Sequence, residues 1–179
     1  MPILSEILED LNYSNYVIEK EQSQPDGSFP TVAYANPEEE QAFTYSLRLA
    51  EKEDAQLILA TDPDADRFGM IERYGKDDYR YFNGNEIGFI LLKLRYKQLK
   101  AERNEQPLFM VKSIVSSAAS DRLGKALGLQ VNTVLTGFKF ISEILQNKQD
   151  TNEQLVLGYE ESHGYLAAPF SRDTVSYTH

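Results

Sequence analysis

The chain has no cysteine. That excludes a disulfide framework and thiolate chemistry of any kind. No apolar run approaches the ~20 residues that a membrane span requires. Met1-Pro2-Ile3-Leu4-Ser5-Glu6 has no basic start and meets acid at once, so no secretory signal is read there and a cytoplasmic setting is expected. Basic residues are scarce, 18 Lys and Arg against 28 Asp and Glu, for a net charge of −10. Nucleic acid and anionic membrane both require a cationic footprint, so neither is an expected partner. A phosphorylated small molecule needs only a few local cations and is compatible with this balance. Repeats and low-complexity tracts are absent too. What is present is an apolar fraction of 41% over 179 residues, enough for a core in one large domain or two small ones.

Apolar periodicity organises the chain. Ile3, Leu4, Ile7, Leu8 and Leu11 follow helical spacing, and Tyr16-Val17-Ile18 reads as a strand. Gln24-Pro25-Asp26-Gly27 is turn chemistry. Asn36-Pro37-Glu38-Glu39-Glu40 predicts a helix start: a cap, a proline in the first turn and acids facing the helix dipole. Phe43, Leu47 and Ala50 continue that helix, and Leu57–Ala60 follows as a strand. The polar stretch Tyr74-Gly75-Lys76-Asp77-Asp78 suggests a junction, with domains at 1–77 and 78–179. Beyond it a helix carries Ile87, Ile90, Leu91 and Leu94 as its core face. Strands at Leu108–Val111, Val131–Leu135 and Gln154–Leu157 then alternate with helices at Ala118 to Leu127 and Phe138 to Gln146. Ser116, Ser117 and Ser120 read as hydroxyls capping a helix start. Helix alternating with strand favours two small α/β units.

The most informative stretch is Ala60-Thr61-Asp62-Pro63-Asp64-Ala65-Asp66-Arg67. In an extended backbone the every-second-residue spacing sends Asp62, Asp64 and Asp66 to one side. Carboxylates held that close repel by roughly 1–4 kcal/mol per pair at effective dielectrics of about 20–80. Pro63 stiffens the backbone against splaying. Oxygen donors without cysteine point to Mg²⁺, Mn²⁺ or Ca²⁺. A solvated acidic turn is the plainer reading, but apolar runs at Leu57–Ala60 and Phe68–Ile71 put the acids at the mouth of a buried sheet. An EF-hand loop would need Gly and Glu where Arg67 and Arg73 stand, so that calcium loop is excluded.

Ligands in α/β folds gather in loops at the carboxyl ends of strands. After Leu155-Val156-Leu157 comes Gly158-Tyr159-Glu160-Glu161-Ser162-His163-Gly164-Tyr165. Glu160 and Ser162 alternate onto one side, where a carboxylate and a hydroxyl can grip neighbouring sugar hydroxyls; an ordinary polar turn is the alternative. His163 is a residue type suited to acid–base work, but as a lone loop histidine it is given no catalytic role. Thr136-Gly137-Phe138-Lys139-Phe140-Ile141 puts a glycine turn at a helix start, a natural anion contact. Lys139 either adds charge there or lies over Phe138 or Phe140.

Taken together and in order, these loops resemble the phosphohexomutase family of phosphoglucomutases, phosphomannomutases and their phosphopentomutase relatives. Asp62-Pro63-Asp64-Ala65-Asp66-Arg67 looks like its magnesium loop. Thr136 to Ile141 resembles its substrate-selective loop, and Gly158 to Gly164 its sugar-binding loop. Pro25-Asp26-Gly27-Ser28-Phe29-Pro30-Thr31-Val32 with Ala35-Asn36-Pro37-Glu38 is also similar to a family stretch. The likeness runs from about Leu4 to Asp173, and the tyrosine-bearing sugar loop looks most like the phosphoglucomutase/phosphopentomutase branch.

The resemblance implies two three-layer α/β domains with mixed sheets, the middle of a four-domain mutase. Such an enzyme moves phosphate between carbon 1 and the terminal carbon of a sugar through a phosphoserine and a bisphosphate intermediate. Glucose 1,6-bisphosphate would then be activator and intermediate, and Mg²⁺ on the aspartates would neutralise charge on the moving group. Carried onto this chain, Asp62, Asp64 and Asp66 would ligate Mg²⁺ and Arg67 would sit beside the phosphoserine. Glu160 and Ser162 would hold sugar hydroxyls, with Gly137 and Lys139 along the substrate face.

The departures from the family pattern are as informative. The donor motif of Thr-Ala-Ser-His-Asn-Pro type is absent, so the phosphoserine is not in this chain. The Arg-Pro-Ser-Gly-Thr-Glu type of phosphate loop is absent as well, as are the strand and glycine-rich segment before the first helix. Arg172-Asp173-Thr174 departs from the expected lysine two places after an arginine. The expected partners are therefore a phosphorylated sugar and flanking domains of the same protein, with self-association through the truncated edges. Phosphomannomutase or phosphopentomutase activity is an alternative within the family. A non-catalytic remnant that binds sugar or protein is the alternative outside it.

Overall fold

The computed structural model describes residues 2–75, 78–102 and 105–168. It divides into two compact units, Met1–Ala65 with Gly69–Tyr81, and Asp66–Phe68 with Phe82–His179.

In the first unit, α1 (Pro2–Asp10) opens the chain, and a 3₁₀ turn at Glu40–Phe43 runs into α2 (Thr44–Glu53). Strands β1 (Leu57–Thr61), β2 (Phe68–Arg73) and β3 (Tyr79–Phe82) make a three-stranded sheet in that order. The Arg73 amide donates to Gln56 O at 2.8 Å, so the end of β2 meets the start of β1 and the two run antiparallel. Phe43, Ala50, Ile58 and Ile71 form the core between α2 and the sheet.

Several expectations for this unit are corrected. Tyr16-Val17-Ile18 is not a strand; it is irregular, and Val17 and Ile18 are exposed. β-branched residues favour a ladder only where a neighbouring strand supplies partners. The helix expected to start at Asn36-Pro37 is delayed. Asn36 Oδ1 accepts from the Glu38 amide at 3.0 Å, a local turn that competes with helix, and α-helix begins only at Thr44. Pro37 is instead pressed against β2, where a side chain on Gly69 would fall 2.8 Å from Pro37 Cβ. After the polar stretch, where the Tyr74 amide donates to Asp78 O at 3.1 Å, comes strand β3, which the sequence reading does not include. Lys76 and Asp77 of that stretch lie outside the described residues, as do Arg172, Asp173 and Thr174.

The second unit is built on α3 (Gly84–Ala101), β4 (Leu108–Ser113), α4 (Ala119–Ala126), β5 (Gln130–Val134), α5 (Phe138–Asn147), β6 (Gln154–Tyr159) and β7 (Tyr165–Leu166). The sheet order is β5-β4-β6-β7; β4 is parallel to β5 and β6, and β7 is antiparallel to β6, which makes the sheet mixed. All six residues of the central strand β4 are buried, as a strand covered on both faces must be. Alternation along β4 builds the layers. Leu108 and Met110 join Leu92 and Leu99 of α3 with Leu123 near α4's centre, while Phe109 and Val111 join Ile141 of α5. Each fully buried side chain of this kind contributes about 1.5–3 kcal/mol.

β6 does not alternate cleanly, because Val156 and Leu157 both enter the α3 cluster. The ladder explains this: Phe109 pairs with Leu155 and Met110 with Leu157, leaving Val156 as the extra residue of a bulge. The core face expected of α3 is also corrected. Ile87 is buried, but Leu94 is 57% exposed and Leu92 and Leu99 take the interior. α3 starts with a reciprocal capping box, Asn83 Oδ1 accepting from the Glu86 amide and Glu86 Oε2 from the Asn83 amide, each at 3.1 Å. Among the described residues no helix is long and apolar enough to cross a membrane.

Candidate functional site

The acidic loop between β1 and β2 does not follow an extended path. Residues 63–65 turn back, the Ala65 amide donates to Asp62 O at 3.1 Å, and Ala65 takes a left-handed φ of 61°. The every-second-residue argument for one-sidedness is thus replaced by a turn. The turn reaches the same end by curvature: one carboxylate oxygen from each of Asp62, Asp64 and Asp66 lies within 4.8 Å of the others. Asp62 is almost buried, while Asp64 and Asp66 are exposed. An all-carboxylate donor set at that spacing suits a hard divalent cation. A left-handed alanine costs of order 1 kcal/mol, so the tertiary frame holds the loop in this shape.

The residues after that turn belong to the second unit. Arg67 bridges to Gly164, the Phe68 amide donates to His163 O at 3.1 Å, and His163 Nδ1 lies 3.0 Å from Phe68 O. A carbonyl only accepts, so that ring nitrogen carries the proton. His163 is 5% exposed and has a left-handed φ of 66°. It is a buried structural histidine.

The loop from Tyr159 to Gly164 is a tight turn closed by the Glu160 amide on Gly164 O at 3.0 Å. Glu160 is 6% exposed, and its Oε1 accepts from the Gly137 amide at 2.5 Å. Two residues singled out from sequence therefore meet. Gly137 is the residue before α5 and has φ 118°, a conformation that favours glycine. The anion at this helix start is the protein's own carboxylate. Lys139 is exposed, with its ammonium 4.7 Å from the centre of the Phe140 ring. That is the stacked alternative for Lys139. Ser162 is half-buried.

Sequence reasoning missed the other carboxylate of the pair. Glu161 Oε2 accepts from Ser113 Oγ at 2.8 Å and from Ser116 Oγ at 3.1 Å. Ser113 ends β4 and Ser116 stands in the loop after it, so the capping role expected for Ser116 is corrected; Ser117 Oγ is what accepts from the Ala119 amide, at 3.2 Å. Buried Lys112 pins the same loop through Ser116 O at 3.0 Å and an ion pair with Asp121 at 3.1 Å. Asn85 Oδ1 accepts from the Ser117 amide at 2.8 Å. The Tyr159 hydroxyl reaches the same oxygen at 3.4 Å, and burial pushes its pKa above the usual tyrosine value. Ser113 and Ser116, three apart at a strand's carboxyl end, were the available signal; the sequence reading takes only Ser116 of the two, as a cap.

Comparison with known proteins gives a consistent result. Residues 1–75 match the family described as phosphoglucomutase/phosphomannomutase, alpha/beta/alpha domain II, and residues 83–176 match alpha/beta/alpha domain III of the same group. A phosphoglucomutase of Staphylococcus saprophyticus is 60% identical over 174 residues, covering 97% of this chain and 31% of that protein. One from Staphylococcus aureus (strain USA300) is 40% identical over 173 residues, again 97% and 31%. The chain thus spans about a third of the length of these relatives. A Burkholderia thailandensis structure described as a phosphoglucomutase/phosphomannomutase family protein aligns with a TM-score of 0.60 at 19% identity, over 79% of this chain and 28% of that one. A Thermus thermophilus structure described as a phosphomannomutase aligns with a TM-score of 0.55 at 26% identity, over 75% and 28%. With both halves matched in order, the chain belongs to the phosphoglucomutase/phosphomannomutase family, of which it holds the second and third α/β domains.

Proposed function

We propose that this chain is the metal- and sugar-binding part of a phosphoglucomutase-type isomerase, which interconverts sugar 1-phosphate and sugar 6-phosphate through a phosphoserine and a bisphosphate sugar. The observation that supports this best is the convergence of Asp62, Asp64 and Asp66 within 4.8 Å on the loop after β1. These three would hold Mg²⁺, whose charge offsets that of the transferring phosphoryl group. Arg67 beside the phosphoserine, Glu160 and Ser162 on sugar hydroxyls, and Gly137 with Lys139 along the substrate face complete the assignment. Glu160 suits it because the Gly137 amide already orients its carboxylate.

The division into a metal-loop domain (1–77) and a sugar-binding domain (78–179) is part of the same proposal. So are glucose 1,6-bisphosphate as intermediate and activator, a cytoplasmic setting, and flanking domains that supply the phosphoserine and a phosphate clamp. Exposed Ile7, Leu11, Val17 and Leu57 support self-association of the isolated chain.

The test uses the longer protein that contains this segment. Glucose 1-phosphate, Mg²⁺ and catalytic glucose 1,6-bisphosphate are supplied, and glucose 6-phosphate is measured. Turnover is expected and should fall at least a hundredfold in Asp64→Asn, as loss of a charge-stabilising donor does. Undiminished turnover in Asp64→Asn removes the metal assignment. The 179-residue chain alone should show no turnover, since no serine in it lies in the family's donor motif. It should still bind Mn²⁺, with binding lost in Asp64→Asn.

A further inference from the structure

The two adjacent carboxylates Glu160 and Glu161 pull one turn in two directions. Glu160 is held by the Gly137 amide of the β5–α5 loop, and Glu161 by the Ser113 and Ser116 hydroxyls at the end of β4. We infer that Glu161 is a positioning residue. Through Ser113 and Ser116 it ties the 158–164 loop to the β4–α4 loop, and so holds Glu160 and Ser162 ready for the sugar without touching it. The inference rests on the sugar-loop reading given above.

The tie is anchored on both sides. Ser113 is fully buried and Ser116 is 4% exposed, their hydroxyl oxygens lie 2.8 Å apart, and the Ser116 amide donates to Ser113 Oγ at 3.2 Å, which leaves the Ser113 proton for Glu161. Their loop is held in turn by Lys112 through Ser116 O and by Asn85 through the Ser117 amide. On the other side the Glu161 backbone lies against Gly84 at the start of α3, and Tyr165 closes the same corner by donating to Gly84 O at 3.0 Å. Two hydroxyls on one carboxylate oxygen are charge-assisted bonds, the stronger kind. Rigid support of this sort decides whether a binding side chain waits in its productive geometry or must be ordered by the ligand.

The experiment has two readouts. In the 179-residue chain, amide hydrogen exchange is followed at Gly137 and Glu160, whose bonds close the loop, and at Met110 and Leu157 in the core strands. In Glu161→Ala the loop amides should exchange about tenfold faster with the strand amides unchanged, as expected for loss of a charged hydrogen bond. Glu161→Gln keeps an acceptor oxygen for both serines and should restore most of the protection. Ser113→Ala should loosen the same two amides, and it decides the question if Glu161→Ala does not fold.

In the longer protein, Glu161→Ala should raise KM for the sugar phosphate about tenfold with kcat within about threefold, and Glu161→Gln should return KM towards wild type. Unchanged loop exchange in Glu161→Ala overturns the tie whatever the kinetics. Equal loss at loop and strand amides, not rescued by Gln, makes Glu161 a stability residue and overturns it too. Faster loop exchange with unaltered KM supports the tie and removes the sugar assignment of the loop, so the two readings fail separately.

Discussion

Gly84→Ala is expected to destabilise the second unit by about 1–4 kcal/mol, although it places a better helix former in a helix. Two effects of opposite sign compete. Replacing glycine by alanine in a helix stabilises by at most ~1 kcal/mol, and less in the first turn where α3 begins. Against this, the added methyl would lie 2.6 Å from the carbonyl carbon of Glu161, nearer still to its oxygen, and 3.0 Å from the His163 amide nitrogen. Ordinary carbon contacts lie at about 3.5–4.0 Å, so backbone must move, not a flexible side-chain end. Overpacking of that kind costs about 1–3 kcal/mol. Movement also endangers the Tyr165 bond to Gly84 O, for about 1 kcal/mol more. The steric effect wins.

The two units need not unfold together, so the readout is exchange of β4 and β6 amides in rising urea, which reports the second unit alone. Gly27→Ala is the contrasting case in the first unit: nothing lies within 4 Å of the added atom, and exchange of β1 and β2 amides should shift by no more than about ±0.5 kcal/mol. A Gly84→Ala protein as stable as wild type would refute the reasoning, because the Glu161 backbone could not then be seated against α3.

Glu160→Ala in the longer protein should lower kcat/KM by about 1.5–3 kcal/mol, with the phosphoserine still formed from sugar bisphosphate; a variant that cannot be phosphorylated would move Glu160 out of the sugar site. Burial raises the Tyr159 pKa, so its stabilising contribution is complete below the unfolded value near 10 and is lost as pH rises past it. Tyr159→Phe should therefore flatten the alkaline loss of stability in β4 and β6 exchange above about pH 10, and an unchanged slope would assign that loss elsewhere. Asn83→Ala removes one side of the α3 capping box and should cost about 1 kcal/mol in urea unfolding of the second unit, while Asn83→Ser should cost much less.

The sequence by itself determined most of the elements, because their periodicity needs only nearest neighbours in the chain. The helix over Phe138 to Gln146 and the strand at Leu108–Val111 are written in apolar spacing, and the glycine before α5 marks a helix start. It also determined the three loops, whose residue types and order identify the family. Tertiary structure alone decided how those residues act. Tyr16-Val17-Ile18 has strand chemistry but pairs with no strand among the described residues, and Asn36 satisfies its own turn before a helix can start there. Val156 and Leu157 share a face because β4 offers one residue against two. Asp62, Asp64 and Asp66 converge through a turn at Ala65, not through extended alternation. Glu161 meets Ser113 and Ser116, more than forty positions away in sequence, only because parallel strands bring their carboxyl ends to one edge. A spacing rule sees one segment at a time, and hydrogen bonds between loops depend on how the sheet registers them.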